Sequence, residues 1–188
     1  MKKSLFILAV TAILLAFPQQ SNAQAFGGKG SKTFLIGAGF SDYPNRYPNA
    51  SNHSHLAFNI GIQGEFGIHD YVGLGFTAGA TFSPANWGTS VGIPIGMIGN
   101  FHFLQLIADK TGGSFAEDMD VYGGLAFGGG PSFLSSISHN NSNGDVGVTI
   151  FGEAHVGIRY YFSDKLGVFA EVGQGISSRL QGGLALKF

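Results

Sequence analysis

The stretch Val146-Gly147-Val148-Thr149-Ile150-Phe151-Gly152-Glu153-Ala154-His155-Val156-Gly157-Ile158-Arg159-Tyr160-Tyr161-Phe162 decides how the rest of the chain is read. Its even positions are Val146, Val148, Ile150, Gly152, Ala154, Val156, Ile158, Tyr160 and Phe162, an apolar set without a charge. Its odd positions hold Glu153, His155 and Arg159, every charged or titratable imidazole and carboxylate group of the stretch. A two-residue period places these sets on opposite faces of one β-strand.

Working outward, the same split recurs in both directions. Leu56, Phe58, Ile60, Ile62, Phe66 and Ile68 oppose Asn59, Gln63 and Glu65; Val72, Leu74, Phe76, Ala78, Ala80 and Phe82 oppose glycines and threonines. Val91, Ile93, Ile95, Met97, Phe101 and Phe103 form a face interrupted only by Gly99, and Leu166, Val168, Ala170 and Val172 form another. Phe34, Ile36, Ala38 and Phe40 open the series; Leu184, Leu186 and Phe188 close it. The stretch Val121 to Phe133 holds so many glycines that its faces are the least distinct. Counting gives eight strands, roughly 32–43, 56–68, 72–83, 91–104, 119–133, 146–162, 166–176 and 181–188. The fold class is therefore all-β, and closure of an even number of antiparallel strands would remove every exposed sheet edge.

Period alone does not say which face is outside; composition does. A water-facing set would be rich in Lys, Glu and Asp, but the polar faces here are mostly Gly, Thr, Asn and Ala. The chain has only 11% charged residues, against about 25% in ordinary soluble domains. Its 31 glycines in 188 residues are about twice the usual share. A soluble lipocalin-like barrel would carry its charges outward. The transmembrane arrangement, apolar out and polar in, fits the composition better. The expectation is a closed antiparallel up-and-down transmembrane β-barrel whose lumen is narrow enough for side chains to fill.

Residues 1–23 carry the marks of an export signal: Lys2 and Lys3, the uncharged run Leu5 to Phe17, and the small-x-small triplet Ser21-Asn22-Ala23. The thirteen residues of that run fall short of the roughly 20 a spanning helix needs. Cleavage after Ala23 leaves one barrel domain, 24–188, destined for the bacterial outer membrane. There is no cysteine to form a disulfide, and the net charge of −1 offers no basic footprint for nucleic acid. Tight turns at His69-Asp70 and Ser163-Asp164-Lys165 belong on the periplasmic side. The polar stretches 44–55, 84–90 and 134–145 read as outer loops through which an extracellular ligand would bind. Residues 105–118 are long for an inner connection, with a helical turn expected at Gln105 to Lys110, and the last outer loop near Ser177 to Leu180 is short. Pro94, inside a strand, calls for a bulge.

In the ending Gly182-Gly183-Leu184-Ala185-Leu186-Lys187-Phe188 and the hairpin Val156 to Glu171 around Ser163-Asp164-Lys165, the chain resembles the OmpA/OmpX-like family of small outer-membrane barrels. The resemblance implies that Leu184, Leu186 and the terminal Phe188 serve as the signal read by the barrel-assembly machinery. It also implies outer-membrane lipid as the surrounding medium. The long OmpA-type periplasmic domain is not expected, since the chain ends at Phe188.

The inward charges are Glu65, Glu153, His155, Arg159, Glu171 and Lys187. Glu65, Arg159, Glu171 and Lys187 should lie in the periplasmic half of the lumen, with Arg159 paired to Glu171 or Glu65, because buried charges need partners. They read either as a structural plug or as the gate of a narrow ion path, and luminal glycines would widen the latter. Glu153 and His155, with serines such as Ser132, Ser135 and Ser136, are the nearest approach to the Ser/His/acid site of a lipid A-modifying enzyme, but no motif surrounds them. His53 and His55 form an H-x-H pair in the first outer loop, with His139 in the third, but with no carboxylate or thiolate nearby they read as solvated loop and not as a metal site. Gly128-Gly129-Gly130 lacks the Lys-Ser/Thr of a phosphate cradle, and the Asn-x-Ser triplets at 49, 52 and 140 read as exposed loop. No enzyme and no cofactor is expected. The leading reading is a non-enzymatic envelope protein, and a small pore for small solutes or hydrophobic compounds is the alternative.

Overall fold

In the computed structural model, residues 24–42, 56–85, 88–136, 145–174 and 180–188 are described. Among the described residues, nine strands make one closed antiparallel sheet: β1 (Lys32–Asp42), β2 (Leu56–His69), β3 (Val72–Ala85), β4 (Gly88–Gly92), β5 (Ile95–His102), β6 (Met119–Ser136), β7 (Asp145–Tyr161), β8 (Leu166–Gln174) and β9 (Leu180–Lys187). β4 and β5 are two halves of one stave, since both pair with β3 and with β6. β1 pairs with β2 on one side and β9 on the other, so the barrel of eight staves has no free edge.

The alternation read from the sequence is the alternation of the wall. On β7, Val146, Val148, Ile150, Val156, Ile158 and Tyr160 stand outside, Val148 with 79% of its surface exposed, while Phe151, Glu153, His155, Arg159 and Tyr161 are buried inside. Ile36, Phe58, Ile60, Phe66, Leu74, Met97, Leu125, Val168 and Leu184 continue the apolar exterior around the barrel. The polar set Thr33, Asn59, Glu65, Thr81, Asn100, His102, Asp120 and Glu171 lies within. This is the inverse of a soluble barrel, and it follows from one strand period applied to all staves at one register.

Two local expectations are corrected. Pro94 makes no bulge. Thr81 pairs with Gly92 and Ala78 with Ile95, and Gly92 pairs with Ser132 and Ile95 with Gly129, so the register passes through the break unshifted on both sides. Gly79 donates to the Pro94 carbonyl and Ile93 to the Pro131 carbonyl, each at 3.0 Å. Neither proline has an N–H to return, so each side of the stave loses a rung without gaining a residue. The stretch 84–90 is not a loop: β3 and β4 run through it and pair as far as Ala85 with Gly88, leaving only 86–87 between them. The glycine-rich stretch whose faces were least distinct forms the longest strand, the 18 residues of β6. The stretches 43–55, 137–144 and 175–179, and with them His53, His55, His139 and the three Asn-x-Ser triplets, lie outside the described residues, as does 1–23.

At one end, the turn end, strands join through Asp70-Tyr71 and through Phe162 to Lys165, where Ser163 Oγ accepts from the Leu166 amide at 3.1 Å. The third connection holds the helix α1 (Phe103–Thr111), capped by Gly112 at φ 68°, and a 3-10 turn at Ser114–Ala116. Gln105 and Ala108 of α1 are buried against the barrel. Asp109 accepts from Gln105 Nε2 at 2.9 Å and from the Tyr71 hydroxyl, which raises the Tyr71 pKa above the usual tyrosine value. Before β1, residues 24–31 double back across the same end. Gly30 donates to Gly67, Gly67 donates to Ser31, and Gly28 and Gly30 take the left-handed conformations (φ 67° and 91°) that the reversal needs.

Candidate functional site

The lumen at the turn end is filled by a knot of buried charges drawn from four strands. Arg159 of β7 donates through one guanidinium nitrogen to Glu65 of β2 at 2.5 Å and reaches Asp120 of β6 through the other at 3.5 Å. His102, at the junction of β5 and α1, sits between the same two carboxylates: Nε2 is 2.6 Å from Glu65 and Nδ1 is 2.9 Å from Asp120. Both ring nitrogens face carboxyl oxygens, so each contact holds a proton, and with both acids ionised the ring is an imidazolium. Two carboxylates and two cations thus form a neutral tetrad, all four side chains 2% exposed or less. That neutrality is what allows such charges to be held out of water.

A second knot adjoins the first. Glu171 of β8 accepts from the Tyr122 hydroxyl at 2.6 Å, from Gln63 Nε2 at 3.0 Å and from Gln181 Nε2. The Tyr122 ring lies under the Arg159 guanidinium, 4.0 Å from carbon to centroid, tying the knots together. Asn100 donates to Glu65 at 2.9 Å and its oxygen meets His155 Nε2 at 2.9 Å, extending the network up the lumen. Below, Phe26 of the N-terminal segment stacks on His102, centroids 3.4 Å apart and planes within 6°. Ala25 and Phe26 are 1% and 2% exposed, and the Ala25 amide bonds to Ala116 at 2.9 Å. The segment 24–31 thus closes the mouth beneath the charges.

The six inward residues singled out from the sequence fall into four places. Glu65 and Arg159 are bonded to each other in the tetrad, and Glu171 centres the second knot. Glu153 and His155 stand higher, with His155 Nδ1 3.9 Å from Glu153. Lys187 is not part of the network: it donates to the Gln24 carbonyl at 2.9 Å at the rim and lies over the Tyr161 ring. Leu184 is exposed on the outer wall, Leu186 shares its face, and the Phe188 amide bonds to Lys32 at 3.0 Å, joining the chain end to β1. Ser132 pairs with Gly147, six residues along β7 from Glu153 and about 20 Å away at 3.3 Å per residue. It is not brought to His155.

His102, Asp120, Tyr122 and Asn100 were not among the sequence candidates. The signal for the two on β5 was present, since Asn100 and His102 alternate with the outward Phe101 and Phe103. Asp120 and Tyr122 were hidden because the glycines of β6 blur its faces.

The luminal glycines do not widen a channel. A Cβ on Gly37 would overlap the Phe169 ring, one on Gly73 the Glu65 carboxylate, one on Gly124 Asn100, and one on Gly157 Tyr122. Each glycine makes room for a large neighbour, so the expected extra cross-section is already filled. Above the knots, Asn59, Thr77, Thr81, Phe151 and Gln181 line a cavity of about 30 Å³, room for a water or two.

Fold and lumen together define a small eight-stave β-barrel with an apolar exterior and a charged, closed core, the architecture of small bacterial outer-membrane barrels. No family model matches the chain, and no curated protein is similar to it. Among solved structures, it is similar to the N-terminal β-barrel domain of Pseudomonas aeruginosa OprF, at 11% identity over 86% of this chain and 98% of that one, TM-score 0.48. It is similar to the outer membrane protein OprG of Pseudomonas aeruginosa at 12% identity over 86% and 98%, TM-score 0.49. It is also similar to Ail, the attachment invasion locus protein of Yersinia pestis, at 16% identity over 85% and 96%, TM-score 0.44. Likenesses this distant do not assign a role to any residue.

Proposed function

We propose that this chain is a non-enzymatic outer-membrane protein whose sealed barrel anchors and displays its outer connections, delivered by an export signal at 1–23 and cleavage after Ala23. The observation that carries the reading is the inside-out wall, with side chains such as Val148, Met97 and Leu125 about 70–80% exposed around a lumen where Arg159 and His102 are fully buried. In water such an exterior would drive aggregation; in lipid it is the solvated surface. The assembly signal ending in Phe188 and the polar stretches 44–55 and 134–145 supply the partners: the assembly machinery during biogenesis, and an extracellular ligand afterwards. A buried, neutral charge plug with a strap beneath it supports a scaffold over a conduit.

The polar upper lumen, where Asn59, Thr81, Ser83, Ser90 and Ser132 are all buried, favours a second reading as a narrow pore. The test has two parts. Detergent-extracted outer-membrane fractions run boiled and unboiled on a denaturing gel should show a mobility shift from a closed barrel, whereas protein recovered in the soluble periplasm would end the membrane reading. Planar bilayers holding the purified protein should be electrically silent; reproducible single-channel steps would replace the scaffold with the pore.

A further inference from the structure

The helix α1 shows an apolar face to the outside. Phe103 and Ile107 are 45% and 50% exposed, four residues apart and so on one side of the helix, with Leu104 and Leu106 half-buried on its flanks. The opposite side is committed to the protein: Gln105 and Ala108 are buried, and Asp109 is held by Gln105 and Tyr71. The exposed side continues the outer wall without a gap. Ile95, Met97 and Phe101 lead down the outside of β5 to Phe103, whose ring packs edge-on to Phe101 at 5.0 Å. Polarity returns only in the last turn, at Lys110 and Thr111, where Thr111 Oγ1 bonds back to the Ile107 carbonyl at 2.9 Å. A nine-residue helix with an apolar outer face and a lysine at its end has the make-up of an interfacial helix.

We propose that α1 lies in the boundary between acyl chains and headgroups of the leaflet at the turn end. Phe103 and Ile107 sit among acyl chains, and Lys110 extends to the headgroup phosphates. The occupant of this surface is lipid because the surface is the lower continuation of the barrel's apolar exterior, and because the one cation of the helix lies where that exterior ends. The proposal rests on the membrane reading above and goes beyond it: a connection between strands, as well as the strands, enters the bilayer.

The native absence of cysteine makes the test direct. Full-length protein refolded into phosphatidylcholine–phosphatidylglycerol vesicles carries one environment-sensitive dye at Ile107→Cys, at the barrel-wall control Ile150→Cys, or at the water control Glu117→Cys. Expected is a blue-shifted emission at 107, quenched several-fold more by lipid-borne bromine than by aqueous iodide, as at 150 and opposite to 117. A label at 107 that follows 117 while 150 remains lipid-quenched overturns the interfacial helix and leaves the barrel in the membrane. Shielding of 107 from both quenchers, which means cover by protein, overturns it as well. If 150 itself is quenched by iodide, the membrane reading and the helix placement fall together. Phe103→Trp in a Trp87→Phe background repeats the measurement without a dye.

Discussion

Arg159 illustrates how much one side chain holds. It is fully buried, bonded to Glu65 and Asp120, and stacked on Tyr122. Arg159→Met should leave two carboxylates facing His102 alone and cost about 3–5 kcal/mol, the usual penalty for stranding a buried charge. Urea unfolding in lipid vesicles measures it. In the double variant with Glu65→Gln the loss should be smaller than the sum of the single losses; strict additivity would show that the pair is not coupled. Glycine positions offer a second comparison. Gly124→Ala would push a methyl into Asn100 and the Gly99 carbonyl, whereas Gly152→Ala on the outer wall meets nothing within 4 Å. The first should lower stability by about 1–3 kcal/mol and the second by nearly nothing, read from unfolding midpoints.

At the level of elements, the barrel is closed at one end by pieces that are not strands. The segment 24–31 and the connection 103–118 meet under the tetrad, where Ala25 bonds to Ala116 and Phe26 stacks on His102. Phe26→Ala should therefore cost about 3 kcal/mol, as removal of a buried ring does. It should also admit water to His102, so that ring-proton exchange at His102 by NMR becomes measurably faster; unchanged exchange would mean the strap does not seal the mouth. Strands were largely legible beforehand, because each buries one face and the two-residue period survives in every stave. Pro94 misled the reading: a proline inside a strand signals a lost rung, and whether a bulge accompanies it depends on the partners. Here Pro131, across from Ile93, sits beside the same break and the register is retained.

For the whole molecule, the pairing order fixes which strand ends lie together: those joined by 70–71, 103–118 and 162–165 share one end with the N-terminal strap, and Ala85 of β3 and Gly88 of β4 lie at the other. A cysteine at position 87 should react with a membrane-impermeant maleimide on intact cells. One replacing Ser163 should react only after the outer membrane is permeabilised. Labelling of both, or the reverse order, would contradict the orientation expected from short periplasmic turns.

Sequence alone determined the number of staves, the side-chain parity of every stave except the glycine-rich β6, and which face meets lipid, because a closed barrel applies one local period throughout its wall and composition tells lipid from water. It also marked Glu65, Arg159 and Glu171 as buried charges in need of partners. Only the tertiary structure decided who those partners are. His102, Asp120 and Arg159 stand on the consecutive paired strands β5, β6 and β7, and Glu65 meets them from β2, so their contacts depend on the stagger between staves and on side-chain reach across the lumen. Neither quantity is written in a two-residue period. The same holds for the lumen's closure: glycines count as open space in a sequence, and become filled space only when the neighbour each one admits is known.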